Sequence, residues 1–100
     1  MSDVTIILPV YCDSAIKLQW LEECLQSIVG QGCNIVAFDD GSPENTLAVL
    51  SKYIQDIAYS KTNRGVSFAR NECIKLVKTS LLIPLDCDDT LQPGAIADLS

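Results

Sequence analysis

Short apolar runs alternate along this chain with longer stretches whose apolar residues recur at helical spacing. The β-branched run Val4–Val10 predicts a first strand, which Pro9 closes near its end, and residues 34–38 predict a second. Asp56–Ser60 predicts a weaker third strand. Residues 81–85 predict a fourth, and their unbroken apolar character is typical of a strand buried on both faces.

The segments between these runs predict amphipathic helices. Gly30 and Gly32 end the first helix, and Ser42 and Pro43 suit the N-cap and first position of the second. Pro93 can open a fourth helix near the end of the sequence. The apolar stripes of the first three helices are Leu18, Leu21, Leu25 and Ile28; Leu47, Leu50 and Ile54; and Val66, Ala69, Cys73, Leu76 and Val77.

Regular alternation of strands and helices predicts the fold class. It indicates an α/β protein with a mainly parallel sheet and helices on both faces, that is, a three-layer α/β/α sandwich. A chain of 100 residues forms one domain at most, and 48% hydrophobic residues are enough for a globular core. The pattern stops inside the helix that follows Pro93, so we expect residues 1–100 to be the N-terminal portion of a longer chain.

Composition excludes several classes of protein. A net charge of -6 argues against nucleic acid as a partner, and the lack of histidine excludes histidine as a catalytic base or metal ligand. The five cysteines form no Cys-x-x-Cys pair, which argues against a zinc site and for a reducing, cytoplasmic compartment. Cys24 and Cys73 fall on apolar helix faces and should be buried thiols. We expect neither a signal peptide nor a membrane span in this chain.

Three carboxylates follow the fourth predicted strand: Asp86, Asp88 and Asp89. Ligands of parallel α/β sheets bind beyond the carboxyl ends of the strands, and Asp86 and Asp88 start on the same side of the strand. Neighbouring carboxylates repel one another unless a cation or proton lies between them. Because Mg²⁺ uses carboxylates together with substrate phosphates, the pattern suggests a clamp for a metal and a diphosphate. The alternative is a solvated acidic loop or a cap for the next helix.

Two further polar features lie after the second and third predicted strands. Asp39 and Asp40 precede a helix, where turn-forming acidic residues are common without any function. Arg64 and Arg70 lie close to the start of the third helix, which makes an anion site plausible, although a solvated arginine is the commoner case.

Three functional classes use a sheet of this kind. A dinucleotide-binding site needs a glycine-rich turn after the first strand, but residues 9–14 contain no glycine, and a P-loop is absent for the same reason. A Mg²⁺-dependent phosphoacceptor would have an acidic pair after the first strand, whereas the acids here follow the second and fourth, so this alternative is weaker. The third class is a nucleotide-sugar site.

Five segments resemble the family 2 glycosyltransferases. They are residues 4–11 (VTIILPVY), 21–28 (LEECLQSI), 39–42 (DDGS), 63–71 (NRGVSFARN) and 85–89 (LDCDD). They occur in the order and at the spacing of that family and together cover nearly the whole chain. The resemblance implies a Rossmann-like GT-A fold that binds a nucleotide-diphosphate sugar, most often a UDP-sugar, with Mn²⁺ or Mg²⁺.

Carried over position by position, the resemblance assigns the nucleotide-binding residues. Pro9 and Tyr11 would border the base. Asp40 would accept a hydrogen bond from the base, while Asp39 supports the turn. Arg64 would lie near the nucleotide.

The same resemblance assigns the metal site. Asp86 would face the ribose or the metal, and Asp88 would ligate the metal that bridges the diphosphate. A divalent cation there neutralises charge that develops on a leaving diphosphate. The catalytic base of the family lies well beyond this motif, so we expect it after Ser100. Residues 1–100 alone should then bind the donor nucleotide without turnover.

The expected activity of the full-length protein is transfer of a sugar, with inversion, to a saccharide or lipid-linked acceptor in polysaccharide biosynthesis. Association of that protein with a membrane would be in keeping with many relatives. An exposed sheet edge in the fragment would favour self-association. The alternative from another class is a non-catalytic α/β module that binds a nucleotide or a protein.

Overall fold

A computed structural model describes residues 4–43 and 45–86. Strands and helices alternate in these residues as β1 (Val4–Val10), α1 (Ala15–Ile28), β2 (Asn34–Asp40), α2 (Thr46–Ser51), β3 (Asp56–Ser60), α3 (Val66–Lys75) and β4 (Leu81–Pro84). The strands form one sheet in the order β3-β2-β1-β4, and every pair is parallel. The predicted parallel α/β sheet is therefore confirmed. The helix predicted after Pro93 lies outside the described residues.

Strand register brings the carboxyl ends of three strands to one edge of the sheet. Val10 of β1 pairs with Asp39 of β2, and Asp40 pairs with Ser60 of β3. Asp39 and Asp40 were predicted to follow the second strand, but they are its last two residues. The backbone of Asp39 is consequently paired on both sides, with Val10 and Tyr59, whereas Asp40 is paired with β3.

Successive residues of β1 point to opposite faces of the sheet, as the geometry of a strand requires. One face packs against α1 and α2 through the larger cluster: Val4, Ile6, Leu8, Val10, Cys12, Leu21, Cys24, Leu25, Ile28, Ala37, Leu50 and Ile54. The other face packs against α3 through Ile7, Val36, Phe38, Ala69 and Cys73. Helices thus cover both faces, which confirms the three-layer arrangement.

The fourth strand differs from its prediction. Leu81 and Leu82 are 47% and 41% exposed, so two-sided burial is wrong for this strand. The reason is its position, because β4 lies at the edge of the described sheet and pairs with β1 alone in that sheet. Pairing continues one residue beyond the strand, where the Leu85 N–H donates to the Ile7 carbonyl at 3.1 Å.

The start of α2 also differs from its prediction. The helix begins at Thr46 with Asn45 as N-cap, so the assignment of Ser42 and Pro43 to the cap and first turn is wrong. The Ser42 hydroxyl is engaged elsewhere, with Asp39, and cannot cap the helix. Because α2 ends at Ser51, the buried Ile54 lies beyond the helix to which it was assigned.

Only the middle of the predicted α3 stripe is buried. Ala69 and Cys73 are buried, whereas Val66 is 56% exposed at the first helical position and Leu76 is 40% exposed after the last. Burial raises the pKa of the Cys73 thiol to about 11. Burial of Cys24 and Cys73 is confirmed. Within the described residues, none of the helices combines the length and apolar character that crossing a membrane requires.

Candidate functional site

A cavity of about 250 Å³ opens where β1 and β2 end and α3 begins. Its lining combines an aromatic ring, small apolar side chains, an amide and a carboxylate: Pro9, Val10, Tyr11, Asp40, Asn63, Gly65, Val66 and Ala69. Three segments surround the cavity, residues 11–12, 39–42 and 62–65, and together they form the carboxyl-end rim. Pockets for drug-sized ligands measure roughly 300–1,000 Å³, so this cavity suits one ring system rather than a whole nucleotide sugar.

Asp40 ties β2 to the start of α3. Its carboxylate is only 3% exposed and accepts hydrogen bonds at 2.8 Å from the backbone N–H groups of Arg64 and Gly65. A carboxylate is stabilised at this place because the helix N-terminus carries partial positive charge. The anion at the N-terminus of α3 is thus a side chain of the protein itself. Each carboxylate oxygen has a further lone pair, so Asp40 can also accept from a ligand in the cavity.

Arg64 contributes its backbone N–H to the rim, where this group donates to Asp40. The side chain turns away along α3, and its guanidinium lies over the Phe68 ring, 5.2 Å from the ring centroid. Phe68 in turn meets Phe38 edge to face, with centroids 5.7 Å apart. Of the residues predicted to bind the nucleotide, Pro9, Tyr11 and Asp40 line the cavity.

Asp39 holds the turn that follows β2. It is 6% exposed and accepts hydrogen bonds from the Ser42 hydroxyl and, at 3.4 Å, from the Ser42 N–H. Burial raises the pKa of the Asp39 carboxyl above its ordinary value; the bonds from Ser42 oppose this rise, and the nearby Asp40 charge adds to it. The Ser42 oxygen also accepts a hydrogen bond of 2.8 Å from the Cys12 N–H.

Gly41 allows two loops to pack closely. Its φ of +72° lies in the left-handed region, and a Cβ here would lie 2.4 Å from the carbonyl carbon of Thr62 and 2.6 Å from the nitrogen of Asn63. Only glycine fits this contact. Sequence reasoning included Gly41 in a motif but missed the contact, because Thr62 is distant in the chain.

Asp86 lies exposed just after β4, at the same end of the sheet as the cavity. Its backbone carbonyl accepts a weak hydrogen bond from the Cys24 thiol at 3.8 Å. Asp88 and Asp89 lie outside the described residues. Among residues 4–43 and 45–86 there is no cluster of three side chains of the kinds that ligate metals. The Asp-x-Asp clamp remains a prediction.

Arg70 adds a donor that the predicted set of site residues omitted. It lies on α3, one residue after Ala69 of the cavity wall. The Arg70 Nε is buried, and the described part of the chain supplies no hydrogen-bond acceptor for it. An arginine nitrogen without an acceptor can bind an anionic group. The only sequence signal for it was a position near the start of a helix.

The chemistry of the cavity suits a flat ring that carries hydrogen-bond donors. Tyr11 is 37% exposed and offers its ring as one wall. Asp40 offers carboxylate oxygens, and Asn63 can both donate and accept. A heterocyclic base has these properties, whereas an aliphatic ligand would leave the polar groups without partners.

Comparison of the sequence with known proteins identifies the family of this chain. The family description "Glycosyl transferase family 2" matches residues 5–99. The chain is 28% identical over 100 residues to chondroitin synthase of Escherichia coli, and 30% identical over 101 residues to hyaluronan synthase of Pasteurella multocida. Each alignment includes 93% of this chain but only 14% and 10%, respectively, of the relative.

Solved structures share the fold. Staphylococcus aureus TarS 1-349 in complex with UDP-GlcNAc matches with a TM-score of 0.79 and 22% identity, over 99% of this chain and 30% of TarS. The mannosyltransferase PcManGT from Pyrobaculum calidifontis, in complex with GDP-Man and Mn²⁺, matches with a TM-score of 0.75 and 19% identity. That match covers 88% of this chain and 28% of PcManGT. The predicted GT-A fold is confirmed.

Proposed function

This chain belongs to glycosyl transferase family 2, and we propose that its rim cavity binds the base of a nucleotide-diphosphate sugar. The observation that carries the proposal is the set of groups at the cavity. Pro9 and Tyr11 flank it, and the carboxylate of Asp40 is fixed at its edge by two backbone N–H groups. A preorganised acceptor beside an aromatic wall is what recognition of a base N–H requires.

Uracil is the base that we propose. The cavity of about 250 Å³ has room for one heterocyclic base, and the choice of uracil rests on the family resemblance, in which UDP-sugars are the most frequent donors. The solved structures support both uracil and guanine as candidate bases, because TarS was solved with UDP-GlcNAc and PcManGT with GDP-Man. A UDP-sugar is therefore the proposed donor, and GDP is the comparison ligand.

Mn²⁺ or Mg²⁺ is the proposed cofactor, held by Asp86 and Asp88. Carboxylate oxygens suit these hard cations, and the exposed Asp86 lies at the same end of the sheet as the cavity. When bound, the cation would neutralise charge on the diphosphate. Arg64 would act near the nucleotide through its position beside Asp40.

The proposed reaction of the whole protein is a direct displacement. An acceptor hydroxyl attacks the anomeric carbon, the bond to the diphosphate breaks, and the sugar is transferred with inversion. The hydroxyl proton passes to a base that we place after Ser100, so residues 1–100 bind the donor without turnover. The names of the relatives support a saccharide acceptor, and a lipid-linked acceptor is the alternative. We propose a cytoplasmic site of action, with the whole protein able to associate with a membrane.

Titration calorimetry with UDP, in the presence and absence of Mn²⁺, tests the donor site. We expect binding that Mn²⁺ strengthens and that Asp88→Ala abolishes. Asp56→Ala is the matched control, because Asp56 is an exposed carboxylate at the start of β3, opposite the carboxyl ends of the strands. Tighter binding of GDP than of UDP would contradict the base assignment. Binding that responds to neither Mn²⁺ nor Asp88→Ala would contradict the metal clamp.

Two further measurements test the remaining proposals. Acceptor-dependent sugar transfer by purified residues 1–100 would contradict the assignment of the base to a later segment. The exposed Leu81 and Leu82 of β4 support self-association through this edge. A monomeric mass in sedimentation over a wide concentration range would contradict it.

A further inference from the structure

We propose that Ser42 is a positioning residue that holds the Tyr11 wall of the nucleotide cavity in place. This inference rests on the proposed function of the cavity and adds a residue that does not line it. Ser42 lies in the turn after β2, whereas Tyr11 lies in the segment after β1. Sequence reasoning gave Ser42 a different role, as a helix cap, which the structure does not support.

A chain of hydrogen bonds links the two segments. The Ser42 hydroxyl donates to Oδ1 of Asp39, and its oxygen accepts from the Cys12 N–H at 2.8 Å. A hydroxyl has one proton to donate and two lone pairs. Because Asp39 takes the proton, the lone pairs of Ser42 are directed toward other donors such as the Cys12 N–H. The buried carboxylate therefore sets the orientation of the hydroxyl.

The Cys12 N–H, which donates to Ser42, lies next to the Tyr11 wall of the cavity. Cys12 directly follows Tyr11, and its side chain is fully buried and donates to the Lys17 carbonyl at 3.7 Å. Strand β1 ends at Val10, so regular strand pairing does not extend to residues 11–13. The bond to Ser42 joins this segment to the neighbouring strand end. The Tyr11 ring, 37% exposed, depends on that backbone for its direction.

A purely structural role is the competing explanation. In that case loss of the hydroxyl would lower thermal stability and leave the nucleotide affinity of the folded protein unchanged. A positioning role predicts weaker nucleotide binding even where the protein remains fully folded. The two explanations therefore differ in the dissociation constant, measured well below the melting temperature.

The test compares Ser42→Ala, Ser42→Thr and Ser51→Ala. Threonine keeps the hydroxyl, and Ser51 is an exposed serine of α2 whose hydroxyl bonds only locally, to the Ala48 carbonyl at 3.2 Å. We expect Ser42→Ala to raise the dissociation constant for UDP with Mn²⁺ by about five- to tenfold, the factor for one net hydrogen bond. Ser42→Thr should restore binding substantially, and Ser51→Ala should match the wild type.

Amide hydrogen exchange of Cys12 gives a readout that needs no ligand. We expect faster exchange at this N–H in Ser42→Ala than in Ser51→Ala or the wild type. Equal UDP affinity in Ser42→Ala and wild type would overturn the positioning role alone. Unchanged Cys12 exchange would overturn the link itself. Absence of UDP and GDP binding by the folded wild type would overturn the proposed function and, with it, this inference.

Discussion

The body of the sheet and its carboxyl-end rim are held together by different kinds of contact. In the body, β1 packs between two layers of helices: Ile6 and Leu8 share one cluster with Leu25 of α1, and Ile7 shares the other with Cys73 of α3, all fully buried. At the rim, buried carboxylates take the place of apolar side chains: Asp40 is bound by two backbone N–H groups of another segment, and Asp39 by Ser42 of the same turn. Apolar burial depends on area and is not directional, whereas these hydrogen bonds require one geometry.

This difference separates stability from binding. A side chain in the body can be exchanged for another of similar volume at small cost. The rim has no such freedom, because Asp39, Asp40 and Gly41 each meet specific backbone or hydroxyl groups. We therefore expect variants in the body to change the free energy of unfolding and variants at the rim to change nucleotide affinity as well.

Among variants of the body, the largest effect on stability should come from Leu25→Ala. Leu25 is fully buried between α1 and the sheet, and truncation of such a leucine costs about 2–5 kcal/mol of unfolding free energy. Chemical denaturation measures this loss. Leu25→Met, a change of similar volume, should cost less than about 1.5 kcal/mol. UDP affinity of the folded Leu25→Ala protein should equal that of the wild type. A weaker affinity would contradict the expectation that variants in the body change stability alone.

Gly41→Ala should combine a large loss of stability with a loss of binding. The left-handed backbone costs roughly 1–2 kcal/mol for a side chain, and the overlap with Thr62 adds about 1–3 kcal/mol. The displaced loop carries Asn63 of the cavity, so UDP should bind more weakly.

Gly30→Ala is the matched control for this substitution. Gly30 has a φ of +90°, but no atom lies within 4 Å of the position of its Cβ. Gly30→Ala should lower the free energy of unfolding only through backbone strain and should leave UDP binding unchanged. Equal losses in the two variants would show that the close approach of Gly41 has no consequence.

A smaller effect should appear in the dependence of stability on pH. The pKa of Asp39 is raised by burial, so the folded state binds the carboxyl proton more tightly than the unfolded state does. The contribution of this proton to the free energy of unfolding is complete below the ordinary pKa of 3.8. It is lost as pH rises through the raised pKa of the folded state. The stability of the wild type relative to Asp39→Asn should therefore fall from below pH 3.8 to neutrality, as measured by denaturation at several pH values. A constant difference would contradict the burial of this charge.

The smallest effect should come from Glu22→Gln on the outer surface of the body. A hydrogen bond from the Tyr53 hydroxyl, with Lys52 nearby, holds the pKa of Glu22 below its ordinary value of 4.5. The resulting stabilisation is present above pH 4.5 and is lost as pH falls through the lowered pKa. Because the group is solvent-exposed, the melting temperature at neutral pH should fall only slightly. Glu23→Gln, a neighbouring exposed residue, is the control, and an equal change in both would contradict a specific pair with Tyr53.

Much of the body was predictable because its signals are local. The β-branched run of β1 and the stripe Leu18, Leu21, Leu25 and Ile28 gave the correct elements, and within that stripe Leu18 is half-buried and the other three are fully buried. The same reasoning failed for β4, where an apolar run does not tell a central strand from an edge strand. Strand order decides burial there, and strand order is a property of the assembled sheet.

The rim was predictable in its residues and less so in its contacts. The resemblance of short motifs identified Pro9, Tyr11 and Asp40, which the structure brings to one cavity. The bond from Asp40 to the Arg64 N–H spans 24 residues, and the bond from Ser42 to Cys12 spans 30. Periodicity and turn preferences describe neighbours along the chain and contain no information on such pairs.

The sequence by itself determined the alternation of strands and helices, the α/β class and the family, since these depend on local spacing and on motifs in register. The tertiary structure alone decided that Asp40 binds the segment that leads into α3, that Ser42 binds Cys12 instead of capping α2, and that Gly41 must lack a side chain. Each of these contacts joins segments that meet only when parallel strands place their carboxyl ends side by side. The physical reason is that a buried polar group must find its partner in space, wherever in the chain that partner lies.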